Sequence, residues 1–234
     1  MRFRTLHSVL KSSKTSIVHT KNNYMTETDR KKAQRWTVVL IFLGFLIIDQ
    51  AVKIWVKTHM TLHESIVVTD WFRITFIENN GMAFGWAFIT KTLLTILRLA
   101  ATLAVGWYIL RAIGRGVHWG YLICLAFIMT GAAGNIVDCV FYGEIFSAST
   151  PFQTSHFVPV GEGYSSWLNG QVVDMFYFPL CHWTWPDWLP FVGGRPYTFF
   201  SYIFNVADAC ISSGVIALLL FFRQTLSREF PMEK

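Results

Sequence analysis

The apolar positions of this chain fall in long unbroken runs, not at the spacing of an amphipathic helix or a half-buried strand. Four runs approach the roughly 20 residues that a helix needs to cross the hydrocarbon core of a bilayer. They cover residues 36–56, 92–110, 119–137 and 199–222. The pattern predicts an all-α membrane protein of four transmembrane helices.

The segments between the runs have patterns of their own. Residues 66–68 and 71–77 are rich in β-branched and aromatic side chains, and Thr69-Asp70 and Asn79-Asn80-Gly81 are turn signals. They predict a small extracytoplasmic β element, a hairpin or short sheet. The connection between the third and fourth runs carries Trp167, Trp183, Trp185 and Trp188 among Tyr, Phe, Gly and Pro. Aromatic residues of this kind favour the membrane–water interface. This long aromatic-rich outer loop reads either as a belt that seats it there or as a cover over a site.

Lys and Arg set the orientation. Nine of them lie within residues 1–35, Arg111 and Arg115 lie in the second connection, and Arg223, Arg228 and Lys234 lie in the tail. The third connection holds Arg195 alone, and the first, with Lys57, Arg73 and Lys91, is intermediate. Both termini and the short second connection are therefore expected in the cytoplasm, with the two longer connections outside. The net charge of +6 then sits largely at the inner membrane surface, where a solvated basic face needs no nucleic acid to explain it. Only 15% of the residues are charged, against roughly 25% in soluble domains, which agrees with the membrane reading.

The chain divides accordingly into a basic cytoplasmic segment (1–35), a spanning domain (36–222) and a cytoplasmic tail (223–234). Residues 1–24 are polar and irregular and are expected to be disordered, with Met25 as a candidate working start. The first run lacks a small-residue cleavage site, so it reads as an anchor and not a removable signal. Cys124, Cys139, Cys181 and Cys210 form no Cys-x-x-Cys pair, and Cys181-His182 alone is a weak metal signal. No metal or other cofactor is expected.

Ionisable groups inside spans are costly and face protein or a cavity, which makes them site candidates. Asp49 lies late in the first run with Lys53 at i,i+4, which also suits a plain ion pair. Asn135 and Asp138 close the third run, where Gly131, Gly134 and Asn135 also suit close helix packing. Asn205 and Asp208 fall in the outer half of the fourth run, three apart and so on one face. Asp174 follows Val172-Val173 in the connection before it. With the orientation above, all these groups gather near the outer leaflet.

Asp208 has no Lys or Arg within a turn or two, and a second carboxylate is a partner that makes chemical sense. Two close carboxylates share one proton, so the ionised member can deprotonate water while the protonated one donates to a carbonyl. That is amide hydrolysis without metal or covalent intermediate. The sequence holds neither a Gly-x-Ser-x-Gly elbow nor a His-Glu-x-x-His motif.

In chain order stand Asp49-Gln50 with Lys53, Asn79-x-Gly81-x-Ala83-Phe84, Gly134-Asn135-x-x-Asp138, Val172-Val173-Asp174 and Phe204-Asn205-x-Ala207-Asp208. On a four-span plan these blocks resemble the signature of the lipoprotein signal peptidase (signal peptidase II) family over residues 36–222. The resemblance implies an inner-membrane aspartyl endopeptidase that removes signal peptides from prolipoproteins, cutting before a diacylglyceryl-modified cysteine. It implies Asp174 and Asp208 as the catalytic pair. It further implies Asp49, Lys53, Asn79, Gly81, Asn135, Asp138 and Asn205 as residues that shape the site and bind substrate. The partners it implies are prolipoproteins and membrane lipids, met by a monomer without nucleic acid.

Three departures accompany the resemblance. The family's third block commonly ends Asp-Arg, whereas Cys139 follows Asp138 here, so either substrate anchoring differs or another residue supplies the charge; Arg195 is one candidate. Residues 144–171 are inserted before Val172, and the Trp-rich residues 179–197 lengthen the link between the two Asp blocks. Two readings from other classes stay open: a small transporter with a proton-relay carboxylate, and a non-enzymatic lipoprotein- or lipid-docking factor.

Overall fold

The computed structural model describes residues 26–80 and 90–230. The candidate start at Met25, the expected disorder of residues 1–24 and the turn at Gly81 lie outside them. Helix α1 (Glu27–His59) is started by Thr26, whose side chain accepts from the Asp29 N–H, and ends on Lys57 and His59, which suit the negative end of its dipole. Helix α2 (Lys91–Arg115) begins at a Thr90 cap and stops at Gly116, whose φ of 75° is the left-handed turn that glycine takes without cost. Helix α3 (Trp119–Val137) continues through a π-helical turn (Asp138–Tyr142) and a last turn to Ile145. Helix α4 (Val206–Phe221) is followed by a short α5 (Arg223–Glu229) at 88° to it.

The membrane character is written in the burial. Large apolar side chains such as Leu40, Leu103 and Leu220 are exposed on the helices, while Asp49, Lys53, Lys57 and Asp138 are fully buried. That inversion of a soluble protein suits a lipid surround. With three to four such helices, the chain is a multi-pass membrane protein. Glycines bring α3 and α4 into close contact: a Cβ on Gly131 would strike the carbonyl oxygen of Ala207, and one on Gly214 would lie 2.7 Å from that of Cys124.

Two expectations change. The fold is not all-α, since 17% of the described residues are strand beside 55% helix. Strands β1 (Ser65–Thr69), β2 (Phe72–Asn79), β3 (Val172–Tyr177) and β6 (Ile203–Phe204) form an antiparallel sheet in the order β1-β2-β3-β6. Strands β4 (Cys181–Thr184) and β5 (Pro196–Phe199) make a separate hairpin from the Trp-rich loop. Nor does the fourth apolar run form one helix from residue 199. Its first part pairs as β5 and β6, because Ile203 and Phe204 complete the ladder against Tyr177 and Phe176. Among the described residues three helices are long and apolar enough to cross a membrane, with a fourth crossing only if α4 and α5 are taken together. Alone, the 16 residues of α4 span about 24 Å, short of the roughly 30 Å hydrocarbon core.

Two apolar cores flank the middle of the bundle. One joins Val38, Ile109, Ile113, Tyr121, Leu122 and Leu218. The other, under the sheet, joins Val56, Met60, Phe76, Tyr142, Phe146, Val173 and Met175. The polar residues singled out from the sequence lie beside this second core.

Candidate active site

Strand pairing delivers the first carboxylate. Asn79, the last residue of β2, stands opposite Val172, and Ile77 stands opposite Asp174. This register aims the Asn79 amide at Asp174, with Nδ2 3.4 Å from Oδ2. On the other side β6 pairs with Phe176 and Tyr177, so the chain leaves the sheet at Asn205 beside Asp174. There Asn205 Nδ2 donates to Asp174 Oδ1 at 2.6 Å and to the Val173 carbonyl at 3.2 Å.

Asn205 also starts α4, and the second carboxylate enters through that role. Its side chain accepts from the Asp208 N–H at 3.0 Å, while Asp208 Oδ2 accepts from the Asn205 N–H at 3.3 Å. This reciprocal capping box fixes Asp208 in the first turn, where the positive end of the helix dipole favours negative charge. Asn135 on α3 completes the link, donating to Asp208 Oδ1 at 2.9 Å and accepting from Asn205 at 3.1 Å. The sequence reading that set Asn205 and Asp208 on one face within a helix is corrected here. Asn205 is the cap outside the helix, and that is why it can touch both carboxylates.

The two Asp differ in surroundings. Asp174 is buried on β3, and burial together with the negative charge of Asp208 pushes its carboxyl up to about 7, against the pull of the Asn205 hydrogen bond. Asp208 is half-buried at a helix end.

Beneath the pair lies a dense ionic layer. Lys53 Nζ contacts Asp49 at 3.0 Å, Asp138 at 2.8 Å and the Asn135 side-chain oxygen at 2.8 Å. Asp49 Oδ1 accepts the backbone N–H of Ala207 at 2.9 Å. Asp138 accepts from the Val173 N–H at 3.3 Å and from Gln50 at 3.0 Å, and Tyr142 donates to Gln50. Every charge in this layer has partners, the condition under which buried ion pairs are tolerated.

Asp174 and Asp208 share a cavity of about 520 Å³ with Asn79 and Asn135. Its remaining wall comes from Arg98, Ala101, Thr102 and Val105 of α2, Ile128, Met129 and Ala132 of α3, and Ile211 of α4. Apart from the two carboxylates, the two amides, Arg98 and Thr102, the lining is apolar. Among the described residues no cluster of three or more His, Cys, Asp or Glu is placed to hold a metal ion.

Of the residues taken from the sequence, Asp174, Asp208, Asn79, Asn135 and Asn205 come together around the cavity, and Asp49, Lys53 and Asp138 come together below it. Gly81 lies outside the described residues. Arg195 sits exposed in the β4–β5 hairpin, and the guanidinium that lines the cavity is that of Arg98, with Nη1 3.9 Å from Cys139 Sγ. Arg98 escapes sequence reasoning, although a lone Arg inside an apolar run is itself a signal. Tyr142 becomes visible only through its contacts, and Gln50, part of the Asp49-Gln50 block, gains a role only through them. So does a second buried pair, Lys57 with Glu78, bridged by Ser149.

A three-dimensional likeness defines the class: the chain shares the fold of a bacterial membrane enzyme solved by the in meso method. The TM-score is 0.54 at 21% identity, over 85% of this chain and 94% of that one. Sequence relatives then supply the family. The family model for signal peptidase (SPase) II matches residues 28–223. The lipoprotein signal peptidase of Porphyromonas gingivalis is 44% identical over 191 residues, covering 81% of this chain and 84% of that protein. The lipoprotein signal peptidase of Amoebophilus asiaticus is 35% identical over 85% of this chain and 82% of that protein. The chain belongs to the signal peptidase II family and is thus a membrane peptidase.

Proposed function

We propose that this chain is an aspartyl endopeptidase of the bacterial inner membrane that removes signal peptides from prolipoproteins, cutting before the diacylglyceryl-modified cysteine. The single observation that carries the reading is the joint hold of Asn205 on Asp174 and Asp208, two carboxylates that share one cavity with largely apolar helix side chains.

Asp174 is the member of the pair that holds the shared proton. Burial in the strand disfavours an ionised Asp174, which leaves Asp208 as the base of the pair. Asp208 then takes a proton from the attacking water as Asp174 donates one to the scissile carbonyl oxygen. Collapse of the resulting gem-diol expels the amine and returns the two carboxyls to one shared proton. Asn79 and Asn135 hold the carboxylates and line the entrance for the peptide. Asp49, Lys53 and Asp138 are positioning residues that act through α4, Asn135 and β3.

Both termini lie in the cytoplasm and the carboxylates lie toward the outer leaflet, which follows the distribution of Lys and Arg. A lipid-anchored substrate then reaches the cavity sideways from the bilayer, with the helices' apolar wall against its lipid. Purified protein should cleave a diacylglyceryl-modified prolipoprotein in detergent, and Asp174→Asn and Asp208→Asn should each be inactive while folded. Turnover by either variant would remove the pair; failure of a well-folded wild type on several such substrates would remove the reading.

A further inference from the structure

We infer that the β4–β5 hairpin seats in the bilayer, its aromatic face lying at the headgroup boundary of the leaflet nearest Asp174 and Asp208. Register sorts the hairpin into two unlike faces. Cys181 pairs with Phe199 and Trp183 with Tyr197, while His182 pairs with Thr198 and Thr184 with Pro196. Successive pairs point to opposite faces, so Cys181, Trp183, Tyr197 and Phe199 share one face. The rings of Trp183 and Tyr197 lie 4.6 Å apart, and Trp185 joins them at 5.4 and 5.8 Å. On the other face His182 Nδ1 lies 2.9 Å from Thr198 Oγ1. Every residue of both strands is exposed except Thr198, which is half-buried. The aromatic face is thus open among the described residues.

The tip is fastened as firmly as the strands. The Trp185 N–H donates to the Arg195 carbonyl at 3.0 Å, and the Gly194 N–H donates to the Trp185 carbonyl at 2.9 Å. This turn holds out Trp188, 79% exposed, and Phe191, 93% exposed. Phe191 also has a φ of 70°, left-handed backbone that a bulky side chain rarely adopts. Strain and exposure at one aromatic residue point to a contact outside the chain.

Lipid is the contact that the rest of the fold supplies. Residues 178–180 and 200–202 join the hairpin to β3 and β6, tethers of about 10 Å each. The return strand leads through β6 to Asn205 and the start of α4, so the hairpin stays beside a helix that enters the bilayer. Between Met175 and Phe204 the charged residues are Asp187 and Arg195, which cancel. A face without net charge suits a zwitterionic leaflet and lacks the charge pattern that selects a protein partner. Trp and Tyr join an apolar ring to one polar group and prefer this boundary to either water or hydrocarbon. Because the hairpin links β3, which carries Asp174, to β6, which leads to Asn205, its seating fixes the height of the carboxylates against the bilayer.

Cys181 supplies the reporter, being exposed on the aromatic face while Cys124, Cys139 and Cys210 are buried. A nitroxide on Cys181 of the full chain, in phosphatidylcholine vesicles, is read by power saturation against oxygen and a nickel chelate. Oxygen concentrates in lipid and the chelate stays in water. The same label on Cys181→Ser/Thr198→Cys reports the polar face. The Cys181 label should meet oxygen more than nickel, the label at position 198 should do the reverse, and added salt should move neither. In Trp188→Glu/Phe191→Glu, with an unchanged melting temperature, the Cys181 ratio should fall toward that of the polar face. A Cys181 label dominated by nickel would place the face in water. A label shielded from both would show it covered by protein, either a second copy or this chain's own cavity. Each of these two results overturns the seat. The readout needs no cleavage, so its failure and that of the peptidase reading are separate.

Discussion

Asp49 Oδ1 accepts the backbone N–H of Ala207 at 2.9 Å, so a side chain of the first helix caps the start of α4 one residue before Asp208. The same carboxylate holds Lys53 through its other oxygen at 3.0 Å. Replacing Asp49 by Ala strips the cap and leaves a buried ammonium with one carboxylate partner fewer. Breaking such a buried pair costs about 3–5 kcal/mol. Asp49→Ala should lower the thermal unfolding temperature in detergent markedly and depress cleavage, while Asp49→Asn, which can still accept from Ala207, should lose less of both. An unchanged melting temperature for Asp49→Ala would remove this role.

Gly134 makes that contact possible. A Cβ there would sit 2.6 Å from Asp49 Oδ2 and 3.1 Å from the Ala207 Cβ. Asp49 is pinned by Lys53 and cannot swing aside cheaply, so α4 must give way. Overpacking of this kind costs about 1–3 kcal/mol. Gly134→Ala should lower both stability and kcat, because the displaced helix carries Asp208. A melting curve and a turnover assay in one detergent measure the two effects together.

The Asp174 carboxyl, pushed up to about 7, fixes a pH dependence with a definite sign. A raised value means the folded chain holds this proton more tightly than the unfolded chain, where an Asp titrates near 3.9. The stabilisation linked to the proton is complete below about pH 4 and is lost as pH rises through about 7. Cleavage should fall over the upper part of the same window as Asp174 ionises. Melting temperatures measured from pH 4 to pH 8 should decline more steeply for the wild type than for Asp174→Asn, and equal slopes would contradict the assignment.

Lys57 and Glu78 tie the outer end of α1 to β2, and Ser149 bonds both. The Lys57 carbonyl also accepts from the Ser155 N–H, so residues 146–171 are fastened to the helix through this cluster. Glu78→Ala leaves Lys57 buried with the Ser149 hydroxyl as its remaining partner in this cluster and should cost several kcal/mol. Limited proteolysis should then cut within residues 146–171 faster than in the wild type. An unchanged cleavage rate would show that the segment is held by other contacts.

How far the sequence reaches depends on what each element answers to. α3 begins and ends where its apolar run does, because hydropathy alone decides which residues sit in lipid. The start of the fourth run is not legible in the same way. Phe199, Ile203 and Phe204 are as apolar as any helical residue, and their strand conformation comes from partners across two ladders, Cys181 for Phe199 and Tyr177 and Phe176 for Ile203 and Phe204. The acidic and amide site residues are legible because a polar group in an apolar run stands out. Their mutual arrangement is not, since the capping role of Asn205 exists only once the helix starts at Val206. Arg98 meets Cys139 through packing between two helices, a relation that no spacing along the chain encodes.

The brevity of α4 reaches beyond the protein. Lipids that border a helix of about 24 Å shorten their tails, so a crossing made by α4 alone would thin the bilayer on the side where α4 meets it. A prolipoprotein drifting into that dimple would ride lower than in the surrounding membrane. Acyl-chain length of the host lipid thereby becomes a control on processing, with cleavage in reconstituted vesicles slowing as the bilayer thickens.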